Sequence, residues 1–183
     1  MDGVTAFSIP ILETARLILR EHRLEDFPAI LKMWSDPDVT RLIGGKPRAE
    51  EEVWMKFLRN AGLWAHLGYG YWVLVERDSG AVIGEIGLAD FKRDLTPSIK
   101  GMPELGYALA PSAHGKGYAS EAARAVVAWG DQHLSEDTMS CIISPENLAS
   151  IRVAEKCGFR EAARADYHGD ETLIFHRDVF NRS

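Results

Sequence analysis

Between Leu109 and Ala122 the chain reads Ala110-Pro111-Ser112-Ala113-His114-Gly115-Lys116-Gly117-Tyr118-Ala119-Ser120-Glu121. Two glycines flank a lysine just before a stretch in which Ala119, Ala122, Ala123, Val126, Val127 and Gly130 recur at helical spacing. The first N–H groups of a helix have no partner inside it, and the helix dipole adds about half a positive charge there. Glycine leaves the backbone open to close approach, and Lys116 adds a mobile cation. The chemistry predicted is phosphate or diphosphate binding. A glycine turn that merely opens a helix would read the same locally. Two other phosphate motifs fail. Lys116 is followed by Gly117, so the P-loop pattern is broken. The dinucleotide fingerprint lacks its third glycine, where Ser120 stands, and residues 110–114 separate the turn from the preceding strand.

Two carboxylates stand in apolar strands and could act as bases. Glu104 shares a strand face with Gly106 and Ala108, which are small enough to admit a substrate. Glu85 lies between glycines in Ile83-Gly84-Glu85-Ile86-Gly87. Half-burial is expected to raise the pKa of either; the plain alternative is a solvated or salt-bridged carboxylate. Asn147 and Ser150 open a short helix. Asn147 suits a helix cap and can also contact a ligand, and Ser150 is either a proton donor or an ordinary first-turn serine. Lys156 and His133 near helix ends complement the dipole. The six histidines show no metal-ligand spacing, so no metal is predicted.

The elements that must position these groups follow from periodicity. Residues 16–20 read as a strand, residues 24–34 and 49–66 as helices, and Glu50, Glu51 and Glu52 suit the start of the second. Residues 71–75, 82–88 and 104–109 read as strands with no helical pattern between them, hence an antiparallel meander. The helix after Gly117 follows, then a strand at 139–143, a helix at 147–156 stopped by Gly158, and strands at 160–164 and 172–176. The order predicts an α+β or mixed α/β fold, one domain over residues 1–183. Trp34, Trp54, Trp64 and Trp72 read as core. Gly44, Gly45 and residues 92–102 are expected to flank an acceptor cleft.

The 183 residues suit one domain. With 46% hydrophobic and 26% charged residues, the chain is an ordinary globular one. The formal charge of −6 argues against a nucleic-acid partner. Cys141 and Cys157 form no redox or metal pair and are expected as buried thiols. Residues 1–10 lack a basic start and an apolar run, so no signal peptide is expected. No stretch approaches the roughly 18 apolar residues of a membrane span. A cytoplasmic protein without a membrane partner, monomeric or homodimeric, is the expectation.

Four segments together resemble the GNAT acetyltransferases, and within them the RimJ/RimL-like branch of ribosomal-protein N-terminal acetyltransferases. These are Glu13-Thr14-Ala15-Arg16-Leu17-Ile18-Leu19-Arg20; Glu104-Leu105-Gly106-Tyr107-Ala108-Leu109-Ala110-Pro111; His114 through Ala122; and Asn147-Leu148-Ala149-Ser150 followed by Lys156-Cys157-Gly158-Phe159. The resemblance implies a twisted mixed sheet flanked by helices and splayed after Leu109, with acetyl-CoA as cosubstrate. It implies that the pantetheine arm pairs with the strand at Tyr107, Leu109 and Ala110. The pyrophosphate would lie on His114, Gly115, Lys116, Gly117, Tyr118, Ala119 and Ser120, with Asn147 and Lys156 adding contacts. It implies acetyl transfer to a primary amine, a protein N-terminus or a small amine, by direct attack. An N–H between Tyr107 and Leu109 would receive the oxyanion, and Glu104, with Glu85 in reserve, would accept the proton. His114 replaces the usual Arg or Gln of the motif. Ala154 stands where many relatives carry an acid tyrosine, so the resemblance points to Ser150 as the donor to the leaving thiolate. A coenzyme A-binding module without catalysis is the alternative reading.

Overall fold

The computed structural model describes residues 8–180. Leu17 and Leu19 are fully buried while Ile18 and Arg20 are half-buried, the period of two that makes residues 17–20 a strand. This strand, β2 (Leu17–Arg20), pairs with a short β1 (Leu12–Glu13) that the pattern did not reveal. Next comes one tight turn of helix, Leu24–Asp26, which runs into α1 (Phe27–Trp34). Asp26 is pinned there by the Arg20 guanidinium at 2.7 and 2.8 Å. After Trp34, in a stretch where no element is expected, Pro37 starts a further short helix, α2 (Pro37–Thr40), with Asp36 accepting from the Asp38 N–H. The long helix α3 (Glu50–Leu67) has its three glutamates in the first turn and ends at Gly68 with φ 74°.

The predicted meander is present as β3 (Tyr71–Glu76), β4 (Val82–Ala89) and β5 (Glu104–Leu109), antiparallel throughout. α4 (Tyr118–His133), β6 (Thr138–Ile143), α5 (Leu148–Lys156), β7 (Arg160–Tyr167) and β8 (Asp170–Asp178) complete the chain. The strands form one sheet of eight, ordered β1-β2-β3-β4-β5-β6-β8-β7. Among the described residues only β5 and β6 run parallel, because α4 carries the chain back between them. The fold is mixed α/β, as the order of elements predicts.

Each sheet face has its own core. Ala122, Ala123, Val126 and Val127 of α4 pack against Leu17, Leu19, Trp72, Leu74, Ile86, Leu105 and Leu109. On the other face Ile30, Met33 and Trp34 of α1 meet Val53 and Phe57 of α3 above Ala108. β5 belongs to both. Leu105, Tyr107 and Leu109 turn to the α4 side, and Glu104, Gly106 and Ala108 to the α1/α3 side. Small residues are needed on the second side: a Cβ at Gly106 would run into the Tyr71 hydroxyl. Cys141 and Cys157 are buried free thiols, and burial pushes both upward in pKa.

Candidate active site

β5 and β6 share a single register pair, Glu104 with Ser140, and the Ser140 N–H donates to the Pro103 carbonyl at 3.0 Å. Beyond it the strands part. The resemblance implied an opening after Leu109; the structure opens it already after Glu104. On its other edge β6 pairs along its whole length with β8, from Thr138 opposite Asp178 to Ile143 opposite Leu173. The Ala110 N–H donates to the Ile83 carbonyl at 2.8 Å. Alternation along an antiparallel ladder then turns the backbone of Glu104, Gly106 and Ala108 toward β4, and that of Tyr107 and Leu109 toward the gap.

Across the gap stands α5. Asn147 caps it, its Oδ1 accepting from the Ser150 N–H at 3.1 Å. The Ser150 Oγ lies 2.9 Å from the Tyr107 hydroxyl, while burial, partly offset by that bond, holds the Tyr107 phenol above its usual pKa. Glu104, Tyr107, Asn147 and Ser150 therefore line one cavity of about 1600 Å³, together with Gly44, Gly45, Lys92 and Arg93. Ala154, where a tyrosine was sought, also lines it. Leu109, Ala110 and Lys156 do not, and Lys156 is an exposed side chain on the last turn of α5.

The glycine turn lies beyond the end of β5. Gly115 and Gly117 have φ of 72° and 80°, a left-handed backbone that other residues adopt only with strain. Gly117 is the residue before the first turn of α4. No atom lies within 4 Å of where a Gly115 Cβ would stand. The N–H groups of Tyr118, Ala119 and Ser120 are those that a new helix leaves unpaired. Two side chains of the turn face elsewhere. The His114 Nε2 bonds back to the Leu109 carbonyl at 2.8 Å, and the buried Tyr118 donates its hydroxyl to Glu76 at 2.5 Å. Lys116 is exposed. Arg16, from the opening strand motif, holds the turn. Its Nη1 donates to the Lys116 carbonyl at 2.9 Å, its Nε to Glu121 at 2.7 Å, and its guanidinium lies 4.5 Å from the Tyr118 ring centre. Glu121 also accepts from the Arg16 N–H and the Thr14 hydroxyl.

The two candidate bases differ. Glu104 is buried at the cavity wall and engaged by Arg93 at 2.5 and 2.8 Å; Arg93 in turn donates to the Tyr167 hydroxyl at 3.0 Å. Glu85 is 1% exposed and does not line the cavity. It pairs with the Lys56 ammonium and accepts from Trp34 Nε1 at 3.0 Å and His22 Nε2 at 3.1 Å. The expectation of a raised Glu85 pKa is overturned. Burial does push it upward, but the Lys56 charge and the His22 and Lys56 hydrogen bonds outweigh burial and hold the carboxyl well below its usual range. The apolar strand around Glu85 predicts its half-burial but not that Lys56, a polar position on α3, reaches down to it. A carboxylate accepts only, so His22 carries its proton on Nε2. That nitrogen also lies 3.1 Å from Asn60 Nδ2, while Asn60 Oδ1 is buried without a partner. Turning the amide over puts an acceptor against His22.

Arg93 lies in the 92–102 stretch expected beside an acceptor cleft but was not singled out by its type, while Lys56, Arg59 and Tyr71 line the cavity and had no signal in the sequence. Arg93 sits in an irregular loop, and the other three lie at ordinary helix or strand positions. Arg16 could have been found, since it stands inside the Glu13–Arg20 motif.

A family model, the acetyltransferase (GNAT) domain, matches residues 16–160. The uncharacterized N-acetyltransferase YoaA of Bacillus subtilis (strain 168) is 31% identical over 153 residues, 83% of this chain and 84% of that protein. A solved acetyltransferase from Agrobacterium tumefaciens superposes with a TM-score of 0.80 at 31% identity, over 94% of this chain and 96% of its own. A putative GNAT-family acetyltransferase from Bordetella pertussis gives 0.82 at 28% identity, over 92% and 99%. A sheet that opens beside a glycine turn at a helix start, and a family match across most of the chain, agree: the protein belongs to the GNAT acetyltransferase family and is an acyltransferase.

Proposed function

We propose that this chain is a RimJ/RimL-like N-acetyltransferase, a single domain that moves an acetyl group from acetyl-CoA to a primary amine in a ternary complex. The observation that carries the reading is the gap between β5 and β6, with the Tyr107 and Leu109 backbone on one side and Asn147 and Ser150 on the other. The pantetheine arm, itself a chain of amides, completes the ladder that β6 leaves unmade. The diphosphate rests on the N–H groups of the Gly115–Ser120 segment, with Lys116 and, from α5, Lys156 adding charge and His114 bracing the turn against Leu109.

The acceptor amine attacks the thioester carbonyl carbon. A C–N bond forms, the C–S bond breaks, the nitrogen loses one proton and the thiolate gains one. The N–H of Tyr107 or Leu109 receives the oxyanion. Glu104 takes the amine proton, directly or through water, and Arg93 fixes its position. Ser150, hydrogen-bonded to the Tyr107 hydroxyl, gives a proton to the thiolate, and the proton that Glu104 took from the amine is released to solvent as solvent returns one to Ser150 through that hydroxyl. Glu85 is assigned no proton transfer; it anchors Lys56. Among the described residues no helix is long and apolar enough to cross a membrane, and we place the enzyme in the cytoplasm.

Thermal unfolding tests the reading. Acetyl-CoA at 100 times its Kd adds about 2.7 kcal/mol of stability, while NADH and ATP leave the midpoint in place. Equal shifts with all three, or none with acetyl-CoA, refute the assigned cosubstrate.

A further inference from the structure

The cavity divides by charge. Arg41, Arg48, Lys56, Arg59 and Arg93, interleaved with Glu52, Asp90 and Glu104, line the half built by α2, α3 and the segment after β4, whereas Glu146, Asp170 and Glu171 line the half built around α5 and the β7–β8 turn. Most of the cations are already matched. Lys56 pairs with Glu85, Arg93 with Glu104 at 2.5 Å, and Arg48 with Glu52 at 3.7 Å; Lys92, nearby, pairs with Asp90 at 2.5 Å. Arg41 and Arg59 are not: among the described residues neither has a carboxylate within 4.0 Å.

Arg59 is nevertheless held. Its guanidinium carbon lies 4.8 Å from the centre of the Phe91 ring, and that of Arg93 lies 4.8 Å from the same ring. Phe91 thus carries two guanidinium groups. One is engaged by Glu104, and the other, among the described residues, has no protein hydrogen-bond partner and stands beside the cavity. The wall continues through the Lys56 ammonium, 4.5 Å from the Trp34 ring and 5.0 Å from the Tyr71 ring. An acceptor that enters as a simple ammonium, or as a polyamine, would meet this surplus of positive charge unfavourably. An acceptor with its own anionic group would not. The same field favours the neutral form of its amine, which is the form that attacks.

We infer that the acceptor is a small amine bearing a carboxylate, received by the guanidinium of Arg59 with Arg41 at the rim. A planar guanidinium matches a carboxylate in two hydrogen bonds, which a lysine in the same place would not do. The inference rests on the acetyltransferase reading above and specifies its substrate class.

The experiment is a thiol-release assay at fixed saturating acetyl-CoA, on sets of three compounds: an amino acid, its amide and the decarboxylated amine. A dipeptide amide with the same N-terminal residue is the fourth arm. The wild-type enzyme is expected to prefer the acid over its amide by at least about tenfold in kcat/KM, the worth of one charge-assisted contact. In Arg59→Gln that ratio falls about tenfold through the KM of the acid, and Arg59→Lys restores only part of it. Acetyl-CoA affinity, read by thermal shift, stays as in the wild type. Equal or better turnover of the amide, the amine or the dipeptide overturns the inference, as does an acid-to-amide ratio that Arg59→Gln leaves in place. If acetyl-CoA binds and no carboxylated amine is consumed, the inference falls while the cosubstrate assignment stands. If acetyl-CoA fails to bind the wild type, the parent reading falls instead.

Discussion

The Tyr107 hydroxyl and the Ser150 Oγ stand 2.9 Å apart, joining the free edge of β5 to the first turn of α5 across the opening of the sheet. The bond places a neutral proton donor behind Ser150 without a tyrosine at position 154. Burial holds the Tyr107 phenol above its usual pKa, so the pair keeps its protons through the neutral range. Ser150→Ala should lower kcat by about 100-fold, and Tyr107→Phe by somewhat less, with acetyl-CoA affinity changed by less than about threefold. Stopped-flow turnover and equilibrium binding of acetyl-CoA separate the two effects. A Ser150→Ala enzyme of full kcat would leave water as the proton source.

Glu104 and Arg93 should be separable in kinetics. Glu104→Gln removes the proposed proton acceptor and is expected to cut kcat by about 100-fold while acetyl-CoA still shifts the melting temperature. Arg93→Met leaves the carboxylate but releases it, so its loss should appear in both kcat and acceptor KM. Identical profiles for the two variants would mean that the pair is only structural.

The buried Glu85 makes stability depend on acid. Its folded pKa is depressed, so its contribution is fully present above the unfolded value, about 4.3, and is lost as pH falls through the folded value. In Asp26 burial pushes the pKa upward, but the Arg20 hydrogen bond and charge together with the Arg23 N–H outweigh it, so it acts in the same direction. Urea midpoints should therefore decline steeply below about pH 4. Glu85→Gln should flatten that limb and cost about 3 kcal/mol at neutral pH, because it strands the Lys56 charge. A neutral-pH midpoint unmoved by Glu85→Gln would contradict the assigned pairing.

Glu121 ties the Thr14–Arg16 segment to the glycine turn through three donors at 2.7 to 2.8 Å. Glu121→Gln should loosen the turn and weaken acetyl-CoA binding about fivefold, with kcat at saturation retained. Gly117→Ala should do more, since its φ of 80° costs any other residue about 1–2 kcal/mol. Isothermal titration with coenzyme A measures both, and unchanged affinity in Gly117→Ala would show that the turn does not carry the diphosphate.

The glycine turn, the small-residue face of β5, the three-strand meander and the cap at Asn147 were all legible in the chain, because each is set by local rules. These are left-handed backbone at glycine, a period of two or 3.6, and a side chain that bonds the third N–H ahead. The short β1 and α2 were not, since two to four residues are too few for a period to show. Nor was the place where the sheet opens. It depends on how β5 and β6, separated in the chain by α4, lie against each other, so no local pattern contains it. The fate of the two carboxylates was likewise decided in three dimensions. Glu85 and Glu104 look alike in sequence, each in an apolar strand beside glycines. One is sealed under Lys56, His22 and Trp34, and the other meets Arg93 at the cavity wall. A carboxylate's pKa and reach are set by the charges that folding brings within a few ångströms, and those charges come from a helix and a loop whose own sequence says nothing of where they will point.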